Sequence, residues 1–358
     1  MANRPPHIIS WNTTKKCNLK CQHCYIDAKI DEDKDELSTS EGKMLIRQIA
    51  DLGKSILVLS GGEPLFRNDI FELASYGVQN GLIVAMGTNG TLIDDKTAKR
   101  LGEVGLRKIA ISIDSSTAKV HDDLRGVEGA WIQALNGAKA CIQNNLDVQF
   151  NVTMTKQNYD DFESILSMAR GMGIKSIHLF FLVPTGRGKD IQDIAPSDYE
   201  ALLRKALVYS TDKLQIKPTC APQFMRVAKE MKIDMRRWGR GCIAGIGYAR
   251  IMPDGSVTPC PYIPVKVGNI RKAALKEIWN KSEVLNALRN FRNLKGKCGL
   301  CEYKNVCGGC RARAYGLTSY CSGASIRGYE PKNEGDILAE DPWCTYKPNP
   351  ENIEGLKK

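Results

Sequence analysis

No apolar run in this 358-residue sequence approaches the ~20 residues that a membrane-spanning helix needs, so no transmembrane segment is expected. The opening MANRPPHIIS lacks the apolar stretch of a secretory signal. Repeats at the 20–50-residue periods of solenoids and propellers, and low-complexity tracts, are missing too. Hydrophobic residues make up 42% and charged residues 25%, which excludes wholesale disorder. These absences lead to the expectation of a soluble cytoplasmic protein, folded as one large domain or two smaller ones.

Cysteine, by contrast, is abundant. Thirteen cysteines in a long chain without a signal, and in odd number, point to metal binding or redox chemistry rather than to disulfides. The 51 basic and 40 acidic side chains leave a net charge of +11. Charge alone admits nucleic acid, an anionic membrane surface or an acidic small substrate.

The first half alternates short apolar runs with amphipathic stretches. Strands are predicted at 7–12, 55–60, 82–86, 108–113, 147–153 and 176–182. Helices are predicted at 39–52, 69–80, 96–104, 131–144 and 159–172, the first capped by Thr39 or Ser40. Six strands each followed by a helix imply repeated βαβ units around a parallel sheet, either curled into a barrel or open. Residues 195–235 read as mostly helical, interrupted near 218–222. From Gly239 to Pro348 the chain is rich in turns and cysteine and poor in apolar periodicity, so bound metal is expected to supply its cross-links.

Cys17, Cys21 and Cys24 follow the first strand with the spacing C-x3-C-x2-C. Three thiolates on one loop can hold three irons of a cubane cluster and leave the fourth open to a chelating ligand. Zinc usually takes four ligands, and His23, wedged between two cysteines, is poorly placed to be the fourth. Ser60-Gly61-Gly62-Glu63-Pro64 follows the second strand; alone it would be a turn. Further on come Cys242, then Cys260 in a G-x4-C context, then Cys298-x2-Cys301-x5-Cys307-x2-Cys310, and finally Cys344. Paired C-x2-C units by themselves also suit zinc.

Taken together, these motifs resemble the radical S-adenosylmethionine (SAM) enzymes that carry a C-terminal SPASM extension, over nearly the whole chain. The resemblance implies an α/β fold: a partial (β/α)6 TIM barrel followed by a cysteine-rich domain. It places the barrel core at 1–200, a helical linker at 201–238, the SPASM domain at 239–348 and a loose tail at 349–358. It implies three [4Fe-4S] clusters. The first is held by Cys17, Cys21 and Cys24 and cleaves SAM to a 5′-deoxyadenosyl radical. Auxiliary cluster I would be held by Cys242, Cys260 and Cys310, auxiliary cluster II by Cys298, Cys301, Cys307 and Cys344. Family members with a fully ligated cluster I have an extra cysteine soon after the first one; here 243–259 contains none. The fourth site is therefore open, or filled by Cys220, Cys321 or substrate. Cys141 reads as core packing. The implied SAM contacts are His23, Gly62, Glu63, Asn89, Ser112, Asp114, Arg125 and Leu182.

Within this family the sequence is most similar to the heme-biosynthesis subgroup, through Phe181–Gly188, Thr219–Pro222, Cys307–Tyr315 and Asp336–Cys344. The implied reaction is oxidative decarboxylation of two propionates of iron-coproporphyrin III to vinyl groups, giving heme. It needs an external electron donor and acceptor, and neither nucleic acid nor membrane. Two alternatives are removal of siroheme- or heme d1-type side chains and peptide maturation. The latter predicts an N-terminal peptide-binding wing for which the residues before the first strand leave no room. A zinc-dependent nucleic-acid binder would leave the GGE loop unexplained. The substrate's carboxylates call for arginines. Arg187, Arg311 and Arg313 are the foremost candidates, with Lys189, Arg236, Arg237 and Arg240 behind them. His7, His121 and His178 could ligate substrate iron but read better as ordinary core or surface histidines.

Overall fold

The computed structural model describes residues 4–31, 35–234, 239–319 and 335–349. The six apolar runs of the first half form β1 (Ile8–Asn12), β2 (Ile56–Ser60), β3 (Ile83–Thr88), β4 (Lys108–Ser112), β5 (Val148–Met154) and β6 (Ser176–Phe181). All pair in parallel in chain order. One face of these strands carries Ile9, Trp11, Leu57, Leu59, Val84, Met86, Ile109, Ile111, Phe150, Val152, Ile177 and Leu179, all buried in one continuous core.

Helices complete that core: α1 (Thr39–Leu52), α2 (Ile70–Gln79), α3 (Asp95–Glu103), α4 (Ala118–Arg125), α5 (Ala130–Gln143) and α6 (Phe162–Gly171). The cap of α1 is Ser38, one residue before the expected position. Its hydroxyl accepts from Glu41 N while the Glu41 carboxylate accepts from Ser38 N, a reciprocal pair that neither Thr39 nor Ser40 could form in that register. Cys141 lies fully buried on α5.

The 201–238 segment is not simply helical. After α7 (Pro196–Tyr209) comes a seventh parallel strand, β7 (Gln215–Thr219), paired with β6; α8 (Phe224–Glu230) follows. Pro218 hid this strand from a pattern search, yet proline is tolerated because β7 lies at the sheet edge. The cysteine-rich region adds β8 (Tyr248–Ile251), β9 (Ser256–Thr258) and β10 (Gly268–Asn269), then α9 (Leu275–Lys281), α10 (Glu283–Arg289), α11 (Gly296–Leu300) and α12 (Arg311–Ser319). β8 pairs in parallel with β1 and antiparallel with β9. The result is one open ten-stranded sheet, β10-β9-β8-β1-β2-β3-β4-β5-β6-β7. No helix among the described residues is long and apolar enough to cross a membrane.

Candidate iron–sulfur and cofactor site

The loop carrying Cys17, Cys21 and Cys24 leaves the C-terminal end of β1 and is fastened on several sides. Cys17 N donates to Lys29 O (2.7 Å), Lys20 N to Arg125 O (3.0 Å) and Gln22 N to Leu124 O (2.9 Å). From the loop after β6, Arg187 N donates to Cys24 O (3.0 Å), and the Arg187 side chain donates to Cys21 O (2.9 Å), Ala28 O (3.1 Å) and Asp27 Oδ1 (2.7 Å). Gly186 makes this approach possible. Its φ is +57°, and a Cβ there would lie 2.4 Å from Cys24 O. The three cysteines share a small cluster with Leu19, Ala28 and Ala130. Each sulfur faces a donor: Leu19 N to Cys17 Sγ (3.4 Å), Arg125 Nη1 to Cys21 Sγ (3.7 Å) and Ala28 N to Cys24 Sγ (3.3 Å).

The Gly61-Gly62-Glu63 loop lies against the stretch that leads into the cysteines. Gly62 N donates to Thr14 O (2.7 Å) and Glu63 N to Lys16 O (2.8 Å). A Cβ on Gly62 would come within 2.3 Å of Lys16 O, so only glycine permits this contact. Glu63 is fully buried. Its carboxylate accepts from Thr88 Oγ1 (2.8 and 2.9 Å), Asn89 N (2.8 Å) and Leu65 N (3.2 Å). Burial outweighs these donors and raises its pKa to about 7. Asn89, thus anchored, turns its amide to Asn18 Oδ1 (2.9 Å) and toward Cys17 Sγ (3.9 Å).

Asp114, fully buried just past β4, gathers several of the expected cofactor contacts. Arg125 Nη2 pairs with its Oδ2 at 2.7 Å, His23 Nε2 lies 3.5 Å from the same oxygen, and Thr153 N donates to Oδ1 (2.8 Å). Asp114 N donates to His121 Nδ1 (3.1 Å), which fixes that histidine as a neutral acceptor. Burial likewise lowers His23 to about 4. Among the described residues, His23 Nδ1 and Arg125 Nε are buried with no hydrogen-bond partner, as suits a pocket whose polar ligand completes it. Ser112, half-buried, closes β4 in register with Asn151. Leu182 approaches His23 across Gly188, but Arg313 already takes its carbonyl. The sequence did not single out Thr88, His121 as a partner of Asp114, or Asn158. Asn158 is buried and ties Asp114 O (2.6 Å) to Thr153 O (2.8 Å). Only Thr88 had a visible signal, its place beside Asn89.

Two further sets of cysteines converge. Cys298, Cys301, Cys307 and Cys344 line a small open cleft with Lys297, Lys304 and Arg226. Cys242, Cys260 and Cys310 meet in a separate apolar cluster that also holds Cys220. Tyr25, next to Cys24, packs on Tyr262, two residues past Cys260, with ring centroids 5.2 Å apart, so the first and second sets are near neighbours. Burial pushes the Cys17 and Cys344 thiols up to about 12, so only a bound cation would make them thiolates near neutral pH. Among the described residues, no three His, Cys, Asp or Glu side chains gather tightly enough for a single metal ion.

The expected substrate arginines are engaged elsewhere. Arg313 is wholly buried and donates to Leu182 O (2.7 Å), Tyr199 Oη (3.2 Å) and Cys220 O (3.3 Å). Arg311 is buried against Ala339 O (2.6 Å), Ile337 O (3.1 Å) and Cys298 Sγ (3.6 Å). Neither presents a free fork to a substrate. Arg187 clamps the cysteine loop, and Arg240 binds Cys242 O (2.8 Å) and lies over Phe291. Lys189 and His7 are exposed. Arg236, Arg237 and Cys321 lie outside the described residues.

A largely parallel α/β sheet with a three-cysteine loop at the end of its first strand defines a radical SAM protein with an auxiliary cysteine domain. The Radical SAM superfamily profile matches residues 11–169, and the SPASM iron-sulfur cluster-binding domain matches 242–311. An AdoMet-dependent heme synthase from Methanosarcina barkeri is 39% identical over 96% of this chain and 97% of its own length. An Fe-coproporphyrin III synthase from the same organism is 31% identical over 94% and 86%. The crystal structure of Streptococcus suis SuiB bound to S-adenosylmethionine superposes with a TM-score of 0.76 over 96% of this chain and 78% of its own, at 20% identity, a likeness of fold. The chain belongs to the radical SAM–SPASM family, in the group that includes the AdoMet-dependent heme synthases. It is an enzyme that binds SAM and [4Fe-4S] clusters.

Proposed function

We propose that this enzyme makes heme by oxidative decarboxylation of two propionates of iron-coproporphyrin III. The observation that carries the proposal is the near full-length similarity to AdoMet-dependent heme synthases, 39% and 37% identical. Three sets of cysteines, each able to hold one cluster, support the reading. When bound, SAM and the clusters supply the hydrogen-abstracting radical and an acceptor for the electron that decarboxylation releases.

The chain's own residues do the positioning. Cys17, Cys21 and Cys24 hold the first cluster, and Arg187 with Gly186 fixes their loop. Glu63 orders the Gly61–Gly62 backbone to meet the cofactor's ammonium. His23, Asp114, Arg125 and Asn89 shape the remainder of its pocket. With Arg311 and Arg313 engaged, the carboxylates of the substrate meet a different cation. Ser112, Asn151, His178 and Lys217 form one row across β4–β7, on the face opposite the apolar core. Lys217 is half-buried, and its ammonium has no carboxylate partner among the described residues. His178 beside it is held at about 3 by burial and by Lys217 and Lys108, so it stays neutral. This polar row is the substrate-facing surface, with Lys217 as a propionate anchor.

The test is a product assay: anaerobic enzyme, SAM, a reductant and iron-coproporphyrin III. Heme, CO2 and 5′-deoxyadenosine are expected. Unchanged iron-coproporphyrin III, with didecarboxysiroheme consumed in its place, would overturn the proposal in favour of side-chain removal, the alternative that the 31% identical Fe-coproporphyrin III synthase supports.

A further inference from the structure

Beyond the end of β7, a fourth sulfur joins the second cysteine set. Cys220 shares the apolar cluster of Cys242, Cys260 and Cys310, walled by Val183, Ala244, Ile263 and Ala312. The four come from separate stretches: directly after β7, ahead of β8, after β9 and directly before α12. Chain proximity does not explain their meeting.

The backbone of Cys220 is also unusual. Its φ is +61°, a left-handed conformation that a residue with a Cβ rarely adopts and that persists only when its surroundings enforce it. Those surroundings are visible. The Cys220 carbonyl accepts from Tyr199 Oη (3.1 Å) and Arg313 Nη1 (3.3 Å). Arg313 itself has no solvent exposure, its Nε has no partner among the described residues, and two carboxylates act on it, Asp341 at 3.8 Å and Asp193. A buried guanidinium beside Cys310 and the Cys220 carbonyl suits a neighbour of net negative charge in addition to Asp341 and Asp193. A [4Fe-4S]2+ core with four thiolates, about −2 overall, is such a neighbour.

We propose that Cys220 is the fourth thiolate of the auxiliary cluster held by Cys242, Cys260 and Cys310, so that all four irons are ligated by the protein and none is open to substrate. This rests on the SPASM reading of those three cysteines. Ligation transfers no electron: the Cys220 thiol loses its proton to solvent as its sulfur binds iron. The cluster then exchanges electrons with the tetrapyrrole without binding it.

The test uses full-length protein carrying Cys17→Ala, Cys21→Ala and Cys24→Ala, which removes the cluster that has an open iron. After anaerobic reconstitution and reduction, carbon-13 cyanide should give no hyperfine coupling. Adding Cys220→Ala should expose an iron and make that coupling appear. Cys220→Ser, which offers an alkoxide oxygen, should keep the iron and shift the g-values of one cluster. Coupling with Cys220 intact, or a Cys220→Ser spectrum identical to that of the parent, overturns the proposal. Loss of Cys242 and Cys260 without any loss of iron and sulfide would instead show that no cluster resides there, a failure of the underlying reading.

Discussion

Arg313→Lys keeps the positive charge but loses the fork that reaches Leu182 O, Tyr199 Oη and Cys220 O together. The expected outcome is a loss of stability of about 1–3 kcal/mol, seen in urea unfolding of the holoenzyme, because one ammonium cannot reach all three buried acceptors. Lys217→Met, on the open face, should leave unfolding nearly unchanged and raise KM for iron-coproporphyrin III about tenfold or more, with a smaller effect on kcat. His121 gives a pH signature. Burial first, then Arg125, lower its pKa from 6.5 to about 4, against the opposing pull of Asp114 and Asp122. As pH falls below about 6.5 the unfolded chain takes up a proton that the native histidine refuses, so stability declines, by on the order of 2 kcal/mol at about pH 5. His121→Asn, whose side-chain oxygen can still accept from Asp114 N, should flatten that slope in thermal unfolding. At this scale the sequence marks the Cys17–Cys24 loop and the Gly61–Gly62 approach, where chemistry demands one residue type. The burial of Arg311 and Arg313 was not visible in it, because burial of a charge is decided by segments far away in the chain.

The six central strands were readable because one whole face of each is buried, which places Ile, Val, Leu or Phe at alternate positions. β7, Gln-Ile-Lys-Pro-Thr, alternates polar with apolar residues as a half-buried strand does, but it is short and Pro218 masks it. β8 and β9 were missed for a related reason: they are short and sit among glycines and prolines, and their burial comes from β1 rather than from local periodicity. α4 escaped because its buried positions include His121 and Arg125, side chains that do not read as core. The loop after β6 shows what an element can do without regular structure. Gly186→Ala combines left-handed strain with a Cβ 2.4 Å from Cys24 O. It should displace the cysteine loop, lowering the iron held by Cys17, Cys21 and Cys24 and suppressing SAM cleavage. The four-cysteine set at the cleft should keep its iron, as iron and sulfide analysis with EPR can check.

For the molecule as a whole, three cysteine sets predict separable lesions. Cys17→Ala should abolish 5′-deoxyadenosine formation, whereas Cys344→Ala should lower total iron yet leave SAM cleavage intact. Equal loss of cleavage in both would mean that the sets are not independent. The single sheet that carries these sites has a consequence for how the protein is made. β1 is synthesised well before one of its two neighbours, β8, which lies 238 positions later at the Ser10–Tyr248 contact. Until Tyr248–Ile251 has been synthesised, one edge of β1 offers unpaired backbone groups, a site for mispairing with other chains. The enzyme's yield in a cell should therefore depend on chaperones that shield a nascent edge as much as on the supply of iron and sulfide.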